Sequence, residues 1–232
     1  MRSHFEGAES IAHRRQDFSF WHHGRSHYAV WIIEIADVSI EQLVSEARQH
    51  LAGVLLEDYR RQLHVTLGVC GFPASIRRYD DDFLPSDLAK QLQALSQAKL
   101  RPFVIEIAGL DSFASAPFLQ IKDGEQGIAR LRACLQATSF EHLGFRYTPH
   151  LTVGLYGKAH NKNALFDSFD RFTAFEPLRY EVRCLQWVCY DANDIGGPLQ
   201  CLAEYDFEQN RLHWQADSRC DAGWGERSRW PG

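Results

Sequence analysis

The sequence predicts an α+β fold built from two similar halves, and three observations carry that prediction. Strand-like and helix-like segments alternate along the chain, pairs of strands also follow one another directly, and one eight-residue pattern occurs twice. With 232 residues, 45% hydrophobic and 24% charged, the chain is long enough for one large domain or two fused halves around a sizeable core. The expected organisation is an N-terminal arm over residues 1–27, a bipartite domain over 28–207 and a C-terminal tail over 208–232.

Residues 1–27 are polar, hold five of the eleven histidines and show no sustained period, which reads as a surface arm. His22, His23 and His27 have no cysteine or acidic partner at ligand spacing, so they are assigned to this solvated arm rather than to a metal. Tyr28 to Ile35 (YAVWIIEI) is β-branched and aromatic, and long enough for a strand buried on both faces. Ser39 and Gln42 form a candidate capping box ahead of Ile40, Leu43, Val44, Ala47 and Leu51, whose spacing puts them on one face of a helix. Leu63 to Phe72 alternates as a strand, and Leu88, Leu92 and Leu95 mark a second helix after the acidic turn at Asp80 to Asp82. In the second half, Phe103 to Leu110 and Pro117 to Ile121 read as strands, Ile128, Leu131 and Leu135 as a helix, and His150 to Tyr156 as a strand. Leu165, Phe166, Phe169 and Phe172 then share a helix, and two long strands, Leu178 to Tyr190 and Leu199 to Phe207, close the pattern. From Glu208 onward Trp214, Trp224 and Trp230 lie among charges and glycines without periodicity, which reads as a loosely packed or disordered tail.

Composition narrows the partners. A net charge of −5 supplies no basic field to hold long nucleic acid through many phosphate contacts, so a small or terminal phosphate fits better. The apolar stretch Tyr28 to Ile33 is too short for a secretory leader or a membrane span, which gives the expectation of a cytoplasmic protein with no membrane partner. The six cysteines are scattered and none forms a Cys-x-x-Cys pair, so they are expected to be reduced and structural.

The chemistry lies in the repeated pattern. Residues 64–71 read His-Val-Thr-Leu-Gly-Val-Cys-Gly and residues 150–157 read His-Leu-Thr-Val-Gly-Leu-Tyr-Gly. On this composition the four shared fixed residues recur by chance with odds of roughly one in a thousand, so an internal duplication is the better explanation. Strand alternation then turns Leu63, Val65, Leu67 and Val69 to a core and His64, Thr66 and Gly68 to the other face, with the same division for Leu151, Val153 and Leu155 against His150, Thr152 and Gly154. Each glycine would leave room for a ligand. If the halves pack about a pseudo-twofold axis, two imidazoles and two hydroxyls share one pocket. One imidazole can take a proton from an attacking oxygen while the other gives one to a leaving oxygen, and the hydroxyls can donate to non-bridging phosphate oxygens. Arg61 and Arg146, just before the two strands, read as solvated surface cations, and His50, His142, His160 and His213 have no comparable context.

At Gln62-Leu63-His64-Val65-Thr66-Leu67 and Tyr147-Thr148-Pro149-His150-Leu151-Thr152-Val153 the chain resembles the two-histidine (2H) phosphoesterase superfamily, within it the bacterial 2′-5′ RNA ligase-like and RNA 2′,3′-cyclic phosphodiesterase branch. The resemblance covers roughly Tyr28 to Phe207. It implies a bilobal α+β fold with mixed or antiparallel sheets, helices outside, and the motifs on facing strands. It implies catalysis without a metal or other cofactor, with His64 donating to the leaving oxygen, His150 activating water, and Thr66 and Thr152 binding phosphate. Many relatives carry a basic residue directly after the second motif; here Gly154-Leu155-Tyr156 stands there, and Tyr156 is the expected substitute contact. The leading expectation is a monomeric enzyme that opens a 2′,3′-cyclic phosphate on an RNA end or small nucleotide to a 2′-phosphate. The same site run in reverse would be a 2′-5′ RNA ligase, and a site without turnover would be an RNA-end binding module. A metal-dependent hydrolase would need three or four converging ligands where the motif strands offer two.

Overall fold

In the computed structural model, which describes residues 4–14, 19–136, 147–172 and 176–215, the apolar run after the arm forms strand β1 (His27–Glu34). Its six central residues are all buried because β1 lies inside a sheet covered on both faces. That sheet also holds β2 (His64–Pro73), β3 (Asp82–Phe83), β8 (Cys184–Asp191), β9 (Gln200–Asp206) and β10 (Arg211–Trp214), in the order β10-β9-β8-β1-β2-β3. A second sheet, in the order β6-β5-β4-β7, is built from β4 (Phe103–Ser112), β5 (Pro117–Lys122), β6 (His150–Thr152) and β7 (Leu178–Val182). The pairings are antiparallel except for the two-residue contact of β2 with β3. The architecture is a bilobal α+β fold.

Helices α2 (Val38–His50), α3 (Pro85–Ala98), α4 (Gly127–Leu135) and α5 (Lys162–Arg171) bury one apolar stripe each, such as Ile40, Leu43, Val44 and Ala47 of α2. The cap of α2 is Asp37, whose carboxylate accepts from the Ser39 and Ile40 amides at 3.0 Å, in place of the expected Ser39 box. An ionised carboxylate satisfies two orphan amides and meets the positive end of the helix, which a serine does less well. Helix α4 packs on both α3 and β2, so the lobes share one continuous core that includes Trp31, Leu67, Leu131, Leu151 and Trp187.

The same unit occurs in each lobe: β1–α2–β2 and β5–α4–β6 both return a motif strand antiparallel beside the strand that precedes the helix. The lobes are not consecutive halves of the chain, however. The expected strand Leu178 to Tyr190 is broken at Arg183 into β7 of one sheet and β8 of the other, and the last three strands rejoin the first lobe. Nor is the tail loose where it begins. Leu212 is buried, the Trp214 ring meets Trp187 edge-on at 5.9 Å, and Arg211–Trp214 pairs with β9; Cys220, Trp224 and Trp230 lie outside the described residues.

The arm also packs more firmly than its polarity predicts. Phe5 is buried in the main core against Phe166, and the amides of Ser10, Ile11 and His13 donate to the carbonyls of His160, Ala114 and Tyr156. One apolar anchor and a row of main-chain bonds fix a segment whose side chains carry no period. A short helix, α1 (Ser19–His22), then leads into β1. Among the described residues no helix is long and apolar enough to cross a membrane.

Candidate active site

Both motif strands begin at their histidine, and β2 and β6 approach each other where the two sheets meet. The two imidazoles are held by the same local device. His64 Nδ1 lies 2.7 Å from the carbonyl oxygen of Gln62, and His150 Nδ1 lies 2.8 Å from that of Thr148, two residues back in each case. A carbonyl can only accept, so each Nδ1 carries the hydrogen and each Nε2 is the ring nitrogen left to exchange a proton.

The residues before each histidine hold the carbonyls in place. The Gln62 side chain pairs with the Leu199 backbone in both directions, donating at 2.9 Å and accepting at 2.8 Å, which ties the first motif to the start of β9. Pro149 keeps Thr148 extended. Across the lobes, the Tyr147 hydroxyl donates to the Thr66 carbonyl at 2.8 Å, and the Arg132 guanidinium, stacked 3.5 Å from the Tyr147 ring, donates to the Leu67 carbonyl. The two motifs are therefore joined through backbone atoms of β2, leaving their side chains for a ligand.

His64 is 9% exposed, and burial pushes its pKa down to about 4; the Gln62 carbonyl opposes this, while Arg61 and His150 add to it. His150 is also depressed by burial, against its Thr148 carbonyl and with a further lowering from His4. Both imidazoles are thus neutral near pH 7 in the free protein. Thr66 and Thr152 are half-buried, and among the described residues neither hydroxyl has a hydrogen-bond partner. The arrangement can move a proton at two Nε2 atoms and offer two hydroxyl donors to an anion.

Three expectations are corrected. Tyr156 is fully buried, its hydroxyl is 2.6 Å from Ser112 Oγ, and burial raises its pKa to about 12, so it serves the core and presents nothing to a substrate. Strand β6 ends at Thr152 because the following residues close on Val54 to Leu56 instead, with Leu56 donating to Leu155 at 2.7 Å and Gly157 to Val54 at 3.1 Å. The motif glycines are packing positions: a Cβ at Gly68 would lie 3.5 Å from Leu135, and one at Gly154 would lie 3.2 Å from Leu55. A register shift opposite Trp31 and Ile32 turns Gly68 inward and Val69 out onto the face of His64 and Thr66.

Two neighbours were not legible in the motif. His4 places Nδ1 3.4 Å from Thr148 Oγ1 and meets Phe113 and Phe118 edge-on, the same two rings that flank His150 at 4.9 and 5.4 Å. Arg61, expected as a solvated cation, donates Nε to the Gly197 carbonyl and lies 4.2 Å from the Tyr190 ring, within electrostatic reach of His64. Only Phe5, an apolar residue in a polar arm, hinted that His4 is anchored. Arg146 and His142 lie outside the described residues. Among the described residues no group of three or more His, Cys, Asp or Glu is gathered to hold a metal ion.

Comparison with known proteins agrees with this geometry. No curated protein matches the chain. Among solved structures, Escherichia coli LigT complexed with 3′-AMP superposes with a TM-score of 0.52 at 12% identity, covering 78% of this chain and 98% of LigT. LigT in its apo form gives 0.50 at 13% identity, covering 79% and 98%; at such identities the likeness concerns the fold. The family model described as the 2′-5′ RNA ligase superfamily matches residues 36–194, which include both histidine motifs. The chain therefore belongs to the 2′-5′ RNA ligase superfamily, the two-histidine phosphoesterases.

Proposed function

We propose that the protein opens 2′,3′-cyclic phosphates on RNA or nucleotide ends to 2′-phosphates, using His64 and His150 as its acid and base and no metal. The observation that carries this reading is the pair of carbonyl-locked imidazoles, each with Nε2 as its only exchangeable nitrogen. Water attacks phosphorus while His150 Nε2 takes its proton; the P–O3′ bond breaks and the 3′-oxygen receives the proton of His64 Nε2. Thr66 and Thr152 donate to the non-bridging oxygens, where the negative charge is concentrated. The cycle starts with His64 protonated and His150 neutral and resets by proton exchange with solvent. Burial disfavours the starting imidazolium in the free protein, but a bound phosphodiester anion favours it, so substrate itself prepares the acid. Tested with 2′,3′-cyclic nucleotides and cyclic-phosphate-terminated oligonucleotides in EDTA, the protein should release 2′-phosphates. A 2′-5′ linkage formed when a 5′-hydroxyl oligonucleotide is added would identify a ligase, and activity returning only with added metal would refute the two-histidine mechanism.

A further inference from the structure

A cavity of about 490 Å³ lies beside the site and is absorbed by none of the chemistry above. One wall is the N-terminal arm with Ile11 and His13, and the others are Trp21, Arg61, Tyr190 and the turn that carries Asp191 and Asp194. Two of its lining residues, Trp21 and Tyr190, pack on the sheet face that bears His64 and Thr66. Thr66 pairs across to Ile32, and Ile32 belongs to the apolar cluster of Tyr28, Val30 and Val188 against which Trp21 and Tyr190 pack. Arg61 connects the two places, since three residues of chain put it within about 10 Å of His64 and its charge is felt there. The arm that closes the cavity is bonded to the opposite lobe through Ile11 and His13, and it precedes residue 36, where the family match begins.

The lining selects an occupant. Its walls are mostly apolar and aromatic, of a size that suits a small ligand. Asp194 is held by Arg60 and Asp191 by Asn193, each through one oxygen, and although Arg14 and Arg61 in the same lining balance their charge, each carboxylate keeps an oxygen able to accept from an amine. His13 Nδ1 is buried in the wall with no partner among the described residues. We propose that this cavity, walled by the arm, is a base subsite that takes the amino-bearing nucleobase of the nucleotide whose cyclic phosphate lies at His64 and His150. The proposal rests on the cyclic-phosphate reading of the site.

Ala12 is exposed at the cavity, so Ala12→Trp fills it from the surface without disturbing the core. The experiment compares kcat and KM of wild type and Ala12→Trp on 2′,3′-cyclic AMP and on 1-O-methylribose 2′,3′-cyclic phosphate, which has no base. The expected result is a KM raised at least about fivefold for cyclic AMP, the low end of a base-stacking contribution, with kcat unchanged and the base-free substrate unaffected. An unchanged KM for cyclic AMP, or an equal loss on both substrates, overturns the subsite. If wild type hydrolyses neither substrate, the cyclic-phosphate reading fails and calorimetric binding decides the subsite alone. Adenosine 2′-phosphate bound more tightly than ribose phosphate, with the difference abolished in Ala12→Trp, supports it; equal binding of the two overturns it.

Discussion

Replacing His64 by Asn should flatten the dependence of stability on pH between about 6.5 and 4. The unfolded chain carries an ordinary imidazole that protonates near pH 6.5, whereas burial holds the folded His64 neutral down to about 4. Between those values the unfolded state binds a proton that the folded state refuses, so stability falls as pH falls across the window and stops falling below it. A separation of about 2.5 pH units, at 1.36 kcal/mol each, makes the full loss about 3 kcal/mol. With His64 9% exposed, solvent screening leaves most of this in place. Asparagine carries an amide nitrogen near the position of Nδ1 and can still donate to the Gln62 carbonyl, but it does not titrate. Urea unfolding at pH steps from 7.5 to 4 gives the two stability curves. The absolute stability of the variant also reflects its strand propensity; the difference in slope is what reports His64. Parallel curves would falsify the assignment, because they would mean that His64 protonates in the fold as freely as in the unfolded chain.

His64→Ala and His150→Ala should each lower turnover of the best cyclic phosphate by at least about a hundredfold with the fold retained, as read by circular dichroism beside kinetics. Near-full activity in either folded variant would remove that histidine from proton transfer. Thr66→Val and Thr152→Val preserve strand shape and delete one donor, so each should weaken inhibition by the 2′-phosphate product by about 1.5–3 kcal/mol, and unchanged inhibition would assign the hydroxyls to the fold. His4→Asn should move the titration of the His150 ring, followed by NMR, toward higher pH, because His4 depresses His150; an unmoved titration would make His4 a packing residue only.

Much of this was legible because repetition exposed it. The shared His-x-Thr spacing located His64, Thr66, His150 and Thr152, and hydrophobic pattern located eight of the ten strands, β7 and β8 as one continuous strand, and four helices among the described residues. What failed did so for physical reasons. Alternation places Gly68 beside Thr66 only if the ladder is regular, and a bulge is invisible in hydrophobic pattern. Tyr156 was the expected substitute for the basic residue of relatives, at the end of a strand expected to run from His150 to Tyr156, but β6 ends four positions earlier because Val54 to Leu56 captures the backbone from a loop with no periodic signal. The arm was underestimated because main-chain hydrogen bonds, which hold Ser10, Ile11 and His13, depend on no side chain at all.

The assignment of acid and base can be taken further than symmetry allows. The two imidazoles share the carbonyl lock, yet His64 is the more deeply buried and has Arg61 beside it, while His150 lies among aromatic rings with His4. In the free protein this makes His64 the harder of the two to protonate, the opposite of what an acid needs, so the donor role depends on the bound phosphate. A pH profile cannot separate the two assignments, because the limbs belong to the coupled pair and a single shared proton gives the same bell either way. The leaving group can. A 2′,3′-cyclic phosphate with sulfur in place of the 3′-oxygen expels a thiolate, which needs no proton, while attack by water still needs its base. On that substrate His64→Ala should return to within about tenfold of wild type, and His150→Ala should keep a loss of at least about a hundredfold. The reverse pattern would exchange the roles, making the more deeply buried imidazole the base and leaving the proton for the 3′-oxygen to His150.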